Sequence, residues 1–264
     1  ILRELDIDLW TEVLDWDEFR SLQMAFLKAS VPDCEIPTDH TIVASLYNTA
    51  KKFNIKYILT GNNLVTESIM PHTWSQGHSD WKYISSINKI HGKVPLRSFP
   101  HYTFLQGWWN NNYSSIHKER ILSYIQFDKE KAAELLQSKF GWKPYTGKHH
   151  ESVYTKFYQA YWLPQKFGYD KRKGHLSALI CAGQMTRENA LAELSQPPLS
   201  EAEINNLKEY VADKFEVTVG TLDELFRKPN KRFYDYPSHY HCQQYFLLRA
   251  IYRNTLKPIY KVFR

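Results

Sequence analysis

The chain is poor in the residues that build disulfide-linked, zinc-binding or membrane-spanning proteins. Its 264 residues include three cysteines, and no two of them form a Cys-x-x-Cys pair. This excludes the usual zinc motifs and a disulfide framework, and free thiols favour a reducing compartment. No apolar run approaches the roughly 20 residues that cross a bilayer, and no segment is typical of a signal peptide. We therefore expect a cytoplasmic protein without a membrane span.

Several nucleotide-binding and hydrolase motifs are also missing. The sequence contains no GxxxxGK[ST], no GxGxxG and no G-x-S-x-G, which argues against a Walker-type ATPase, a dinucleotide-binding fold and an α/β-hydrolase. The first residue is Ile1 rather than methionine, and residues 7–14 alternate like a strand. We expect the chain to begin inside a domain.

The composition is that of a folded, moderately basic protein. Hydrophobic residues make up 43% of the chain and aromatic residues 15%, so a disordered chain is excluded. The formal net charge of +6 suits a polyanionic ligand such as a nucleotide and permits RNA, but it requires neither.

The residue pattern predicts an α/β half followed by a helical half. Two amphipathic helices precede an apolar run at Tyr57–Leu59, which we interpret as a buried parallel strand of a βαβ arrangement. A further strand is expected at 120–126 and a helix at 129–140. Later helices are expected at 151–167, 174–183, 186–194, 200–213, 219–226 and about 238–256. This gives a nucleotide-binding domain over 1–145, with an irregular aromatic insertion at about 70–118, and a helical region over 146–264.

A polar loop follows the predicted strand. The residues Thr60, Gly61, Asn62 and Asn63 come directly after the apolar run, and Glu67 lies within the same loop. Ligands bind at this edge of open α/β sheets, and glycine lets the backbone approach a ligand closely. An ordinary strand-to-helix turn explains the same residues, since glycine and asparagine are common in turns.

A second candidate precedes it at the start of a predicted helix. There Asp39 could hold a ribose or a metal and His40 could contact phosphate, because helix N-termini bind anions. Simple N-capping by Thr38 or Asp39 is the alternative.

A third candidate is a basic stretch interleaved with aromatic residues. Its polar members include Lys148, Glu151, Lys171 and Arg172, which suit phosphate oxygens or a developing negative charge. The alternative is a solvated basic face.

Taken together, the motifs resemble the N-acetyl sugar amidotransferases of bacterial lipopolysaccharide O-antigen biosynthesis. More distantly, Thr60-Gly61-Asn62 is similar to the Thr-Gly-Asn of ammonia-dependent NAD synthetases, which implies the PP-loop (adenine nucleotide α-hydrolase-like) fold. The Ser-Gly-Gly-x-Asp-Ser loop of the family, which grips pyrophosphate, is not in this sequence, so the fold is expected in an N-terminally truncated form. The matching segments are 25–33, 37–40, 58–63 with Glu67, 147–152, 170–172 and 175–177.

The resemblance implies an ATP- and Mg²⁺-dependent reaction. ATP adenylates the acetamido oxygen of a nucleotide-linked sugar, ammonia from a glutaminase partner attacks the carbon, and an acetamidino group remains. The implied catalytic residues are Lys148, Glu151, Lys171 and Arg172. The implied nucleotide-binding residues are Asp39, His40, Thr60, Gly61, Asn62 and Asn63. A magnesium role falls to Glu67.

Two alternatives remain open at this point. One is a tRNA-modifying enzyme of the same fold, although the confinement of basic residues to one stretch argues against a nucleic-acid partner. The other is a non-catalytic homologue or partner subunit that has lost the ATP loop.

Overall fold

The computed structural model describes residues 1–143, 145, 150 and 152–241. The chain is mostly helical and carries a small parallel sheet. The strands are β1 (Tyr57–Thr60) and β2 (His117–Arg120). The helices are α1 (Trp16–Ala29), α2 (Ile36–Lys52), α3 (Leu64–Glu67), α4 (Trp81–His91), α5 (Phe104–Asn112), α6 (Lys129–Phe140), α7 (Val153–Phe157), α8 (Leu163–Phe167), α9 (Arg172–Cys181), α10 (Arg187–Ser195), α11 (Glu201–Lys214) and α12 (Val219–Arg227).

The sheet confirms a parallel strand where the sequence predicted one. In the register, Tyr57 pairs with His117 and the pairing continues to Thr60 with Arg120. The predicted burial of this strand is wrong, because Ile58 is buried whereas Tyr57 and Leu59 are 63% and 64% exposed.

Two other strand predictions are also wrong. Residues 7–14 form no strand, and the strand expected at 120–126 ends at Arg120 and gives way to a 3₁₀ turn at Ile121–Ser123. The described residues thus form a parallel pair of strands rather than a larger sheet. The PP-loop fold itself remains a prediction.

The main core draws on both predicted halves. Asp15 caps α1 by accepting the amide of Glu18, and α1 packs along α4. The largest fully buried side chains come from α1, α2, α4, the 157–163 segment and α12. They are Trp162, Tyr83, Tyr158, Phe26, Phe157, Leu22, Leu27, Ile36, Ile84, Ile87, Leu163 and Leu222. A domain boundary near 145 stays a prediction.

A π-helical turn, Tyr158–Trp162, lies between α7 and α8. Here the amide of Leu163 bonds to the carbonyl of Tyr158, five residues back. Pro164 follows and has no amide to donate, so the regular i→i−4 pattern cannot continue through it. Gln159 lies within this turn.

The C-terminal helices follow the predicted ones closely, with ends that differ by one or two residues. The last prediction, a helix over about 238–256, begins as a 3₁₀ turn at His239–His241 and otherwise lies outside the described residues.

The segment 70–118 contains α4 and α5 rather than being irregular throughout. Among the described residues, no helix combines the length and apolar character that crossing a membrane requires.

Candidate functional site

Five charged or ionisable side chains gather around the N-terminus of α2. Asp33 and Glu35 come from the loop that joins α1 to α2, Asp39 from the first turn of α2, His78 from the loop before α4, and Lys171 from the residue preceding α9. We call this set the ion network. Of the residues that the sequence singled out, it brings Asp39 and Lys171 together.

One part of the network is a histidine between two carboxylates. His78 places Nε2 3.1 Å from Oδ2 of Asp33 and Nδ1 3.1 Å from Oδ2 of Asp39. Asp33 is 3% exposed and also accepts the Ser75 hydroxyl at 2.6 Å and the Glu35 amide at 3.0 Å. The histidine ring is therefore held from both nitrogens.

The pKa values of this part follow from burial and from the opposite charges. Burial raises the pKa of Asp33, but His78, Lys171 and the Ser75 hydroxyl outweigh it and lower that pKa to about 2. Burial lowers the pKa of His78, but the two carboxylates outweigh it and raise that pKa to about 10. His78 is consequently an imidazolium at neutral pH and is no general base there.

The other part of the network is a buried lysine–glutamate pair. Nζ of Lys171 lies 3.3 Å from Oε2 of Glu35, which also accepts Nε2 of Gln159 at 2.6 Å. Burial raises the pKa of Glu35. Burial lowers the pKa of Lys171, but Asp33 and Glu35 outweigh it and the net shift is upward. Lys171 is thus a fixed cation rather than a proton acceptor.

His40 connects the ion network to a stack of aromatic rings. Its Nδ1 donates to the carbonyl of His78 at 2.7 Å, its Nε2 accepts the amide of Tyr102 at 3.3 Å, and its ring stacks on that of Tyr102 with centroids 4.3 Å apart. The side chain is fully buried, and burial lowers its pKa to about 4. A neutral, buried ring with both nitrogens engaged suits a positioning role; the predicted phosphate contact stays a prediction.

The Thr60–Glu67 loop makes mostly local bonds. Thr60 donates its hydroxyl to the carbonyl of Glu119, Asn62 donates to the Glu67 carboxylate at 2.9 Å, and Asn63 caps α3. A side chain at Gly61 would meet no atom within 4 Å. Turn chemistry accounts for these bonds, and open space at Gly61 leaves its backbone accessible.

This loop and the network are separate in the described part of the chain. The C-terminal part of the loop, which forms α3, packs on α9, where Nδ1 of His175 contacts the carbonyl of Thr66 at 3.0 Å. Asp39 shares no hydrogen bond or ion pair with the residues 60–63 among those that the structure describes. The ion network and the loop nevertheless contact the same segment of the chain. The ion network includes Lys171, and the loop packs on α9, which begins at the next residue.

The remaining predicted catalytic residues divide into two groups. Arg172 holds Asp170 through Nε and Nη2, at 3.1 and 2.7 Å, and donates Nη1 to the carbonyl of Gln196 at 2.9 Å. These bonds tie the start of α9 to the end of α10. Lys148 and Glu151 lie outside the described residues.

Four residues of the site were not predicted from the sequence: Asp33, Glu35, His78 and Gln159. The signal that could have indicated the first two is a pair of acidic residues in a loop that turns out to be buried, with Glu35 only 8% exposed. Nothing in the local sequence distinguishes His78 or Gln159. Along the chain, His78 lies 45 positions from Asp33, and Gln159 lies 124 positions from Glu35.

The described residues do not by themselves fit magnesium and a triphosphate. They contain no cluster of three side chains that could hold a metal ion, and the carboxylate of Glu67 is already paired with Asn62. The three carboxylates of the ion network outnumber its two cations, His78 and Lys171, so the net charge at the N-terminus of α2 opposes a polyanion such as a triphosphate.

The comparison with known proteins found a similarity in the C-terminal region. Residues 151–249 match the family described as LPS biosynthesis protein WbpG-like, C-terminal domain. No curated protein and no solved structure matched the chain. The match includes Gln159 and Lys171, and it confirms the resemblance to a lipopolysaccharide-biosynthesis family that the motifs indicated.

Proposed function

We propose that this protein is an ATP-dependent amidotransferase of bacterial surface-polysaccharide synthesis, which converts the acetamido group of a nucleotide-linked sugar to an acetamidino group. A role in lipopolysaccharide biosynthesis is supported by the family match over 151–249. The proposed reaction replaces the acetamido oxygen by the nitrogen of ammonia; the oxygen leaves as part of AMP, and pyrophosphate is the other product of ATP. Mg²⁺, a glutaminase that supplies the ammonia and a cytoplasmic location are further parts of the proposal.

The observation that carries the proposal is the position of Lys171. This residue lies within the matched region and its ammonium is fixed by Glu35 beside two further carboxylates. A preorganised cation stabilises negative charge that develops on an oxygen during attack on a carbonyl-type carbon. Because the pKa of Lys171 is raised, its contribution is electrostatic rather than a proton transfer.

The role of His78 follows from the same network. As an imidazolium bound to Asp33 and Asp39, it fixes the loop before α4 against the start of α2. It neutralises part of the charge of two carboxylates, which would otherwise weaken the field of Lys171. We assign it a positioning role.

No step is assigned to ATP on this chain's described residues, since they do not fit a magnesium triphosphate. Three further sets of roles rest on the resemblance alone, and the described residues add no support to the first two: nucleotide contacts by Asp39, His40, Thr60, Gly61, Asn62 and Asn63, a magnesium contact by Glu67, and catalytic roles for Lys148, Glu151 and Arg172.

A labelling experiment tests the proposed reaction. The protein is incubated with UDP-N-acetylglucosamine or a related nucleotide-linked N-acetyl sugar, ATP, Mg²⁺ and isotopically labelled ammonia, and the sugar is analysed by mass spectrometry. The proposal predicts that label enters the sugar as an amidine only when ATP is present. Failure to incorporate label with a panel of such sugars, while the protein remains folded, contradicts it.

The ammonia source is tested in the same assay. With labelled glutamine in place of ammonia, the isolated chain should give no product, and addition of a glutaminase partner should restore it. Direct use of glutamine by the chain alone would contradict the proposed partner.

A further inference from the structure

An open cleft of about 220 Å³ lies between α2 and α5, beside the ion network. Its walls come from both helices, from the turn before α4 and from the end of the described chain. The lining residues that matter for its chemistry are Tyr47, Tyr102, Trp108, Asn110, Asn111 and Tyr240. Ser79, which directly follows His78, also lines it.

The described residues that line the cleft combine flat aromatic rings with side-chain amides and include no charged residue. A phosphate or a carboxylate would enter such a cleft without a compensating cation, which is unfavourable. A sugar ring fits this chemistry, because its C–H faces pack on aromatic rings and its hydroxyl and amide groups bond to asparagine side chains.

Asn110 has an unmet hydrogen-bonding requirement at this cleft. The residue is 6% exposed, and its Oδ1 is shielded from solvent without a hydrogen-bond partner among the described residues. A buried amide oxygen without a partner is destabilising in the free protein. Because Asn110 lines the cleft, an N–H or O–H group of a bound ligand is a candidate for the missing bond.

The cleft is connected to the ion network by stacked rings. Tyr102 forms part of the cleft wall and stacks on His40, which is hydrogen-bonded to the carbonyl of His78. A ring held in the cleft therefore lies against the same short segment, 78–79, that carries the imidazolium of the network.

We infer that this cleft binds the hexose ring of a neutral N-acetylated sugar, with Trp108 and Tyr102 as apolar surfaces and Asn110 as a hydrogen-bonding group. The inference rests on the proposed function for the identity of the sugar. The volume is below the roughly 300–1,000 Å³ of sites for drug-sized ligands, so one ring with its acetamido group enters and the nucleotide stays outside.

Binding is tested with a sugar that lacks any nucleotide. The probe is methyl N-acetylglucosaminide, observed by saturation-transfer-difference NMR, with uridine and AMP as separate competitors. Transfer to the ring and acetyl protons that neither competitor reduces supports the inference. Binding of uridine or AMP that displaces the sugar, or no transfer to the sugar, overturns it.

Two adjacent tryptophans provide matched variants. Trp108 lines the cleft, whereas Trp109 is 56% exposed on the same helix. Both contact Tyr113, Trp108 with tilted rings and Trp109 with stacked rings. Trp108→Ala should weaken sugar binding at least tenfold and Trp109→Ala less than twofold. Equal loss from both variants would overturn the inference, because it would indicate a general disturbance of α5.

Asn110→Leu separates a binding role from a structural one. Because the amide oxygen has no partner in the free protein, the variant should keep or raise Tm while sugar binding falls. A large drop in Tm with retained binding would show that the amide serves the fold.

The outcomes also separate this inference from the proposed function. Labelled amidine that forms equally well with Trp108→Ala would leave the proposed function standing and overturn the cleft assignment. Sugar binding that depends on Trp108 without any amidine formation would support the cleft and contradict the proposed reaction.

Discussion

Lys171 and Glu35 are 136 positions apart in the chain, yet Nζ of the lysine lies 3.3 Å from Oε2 of the glutamate. The pair joins the family-matched region to the residue that precedes α2. Both side chains are largely buried, with 16% and 10% of their surfaces exposed. Because this contact joins the family-matched region to the start of α2, the stability of both regions depends on the position of the Lys171 ammonium.

The coupling between Lys171 and Glu35 should appear in a double-mutant cycle. Lys171→Met should lower the free energy of unfolding by about 1–3 kcal/mol, because it leaves Glu35 buried with one acceptor unsatisfied. Adding Glu35→Gln should recover part of this loss, with an interaction energy of about 0.5–3 kcal/mol measured by denaturant unfolding. The adjacent, exposed Lys173 provides the control. Additive losses would show that the pair is not coupled.

The stability of the protein should depend on pH through His40. The pKa of this histidine is about 4 in the folded chain and about 6.5 in an unfolded one, so the unfolded state binds more protons between these values. Stability is therefore lost as pH falls from about 6.5 toward 4. His40→Phe, which keeps a ring in the stack, should reduce the slope of Tm against pH over this window. An unchanged slope would mean that other groups cause it.

The close packing of α9 on the segment after α3 should not tolerate a methyl group at Gly174. A Cβ atom there would lie 2.5 Å from the carbonyl oxygen of Ile69, which is backbone and cannot swing aside. We expect Gly174→Ala to destabilise the protein by about 1–3 kcal/mol.

Gly220 is the matched control for this substitution. It lies in α12, and a Cβ atom there would have its nearest neighbour, Oγ1 of Thr218, at 3.6 Å. Gly220→Ala should be neutral or stabilising by up to about 1 kcal/mol, since alanine favours the helix. Equal effects at the two glycines, measured by thermal unfolding, would contradict the packing described for α9.

Glu18 should be essential for the loop that leads into the aromatic segment. Its buried carboxylate accepts the backbone amides of Arg97, Ser98 and Phe99 at 2.9–3.0 Å. Glu18→Gln replaces one acceptor oxygen with a donor and should cost about 1.5–3 kcal/mol in urea unfolding. Glu12→Gln, at an exposed position, should change stability by less than about 0.5 kcal/mol. A small effect at Glu18 would show that the loop is held by other contacts.

Local signals in the sequence predicted most of the helices. Asp15 and Ser200 are residue types that favour helix N-caps, and the structure shows both as caps, with Ser200 in a capping box with Glu203. The strand at Tyr57–Thr60 was recognisable from its apolar run. These features depend on residues a few positions apart, so one stretch of chain contains all the information.

The errors and omissions have a different physical origin. The alternation over 7–14 predicted a strand, but a strand needs a partner, and none of the described residues pairs with it. Burial of β1 was inferred from its composition, whereas burial depends on what packs on each face. The ion pairs of the ion network join residues 39 to 136 positions apart, and no local sequence pattern predicts such pairs.

The central claim is that the cation fixed by Glu35 acts in amidine formation. It is tested most directly by measuring incorporation of labelled ammonia into the nucleotide-linked sugar with Lys171→Met and Lys173→Met, together with Tm and binding of the sugar. At temperatures where the variant is folded, the account predicts that Lys171→Met lowers kcat at least a hundredfold while sugar binding persists. Lys173→Met should behave as the wild type. Activity that falls only in proportion to the folded fraction of Lys171→Met would contradict it.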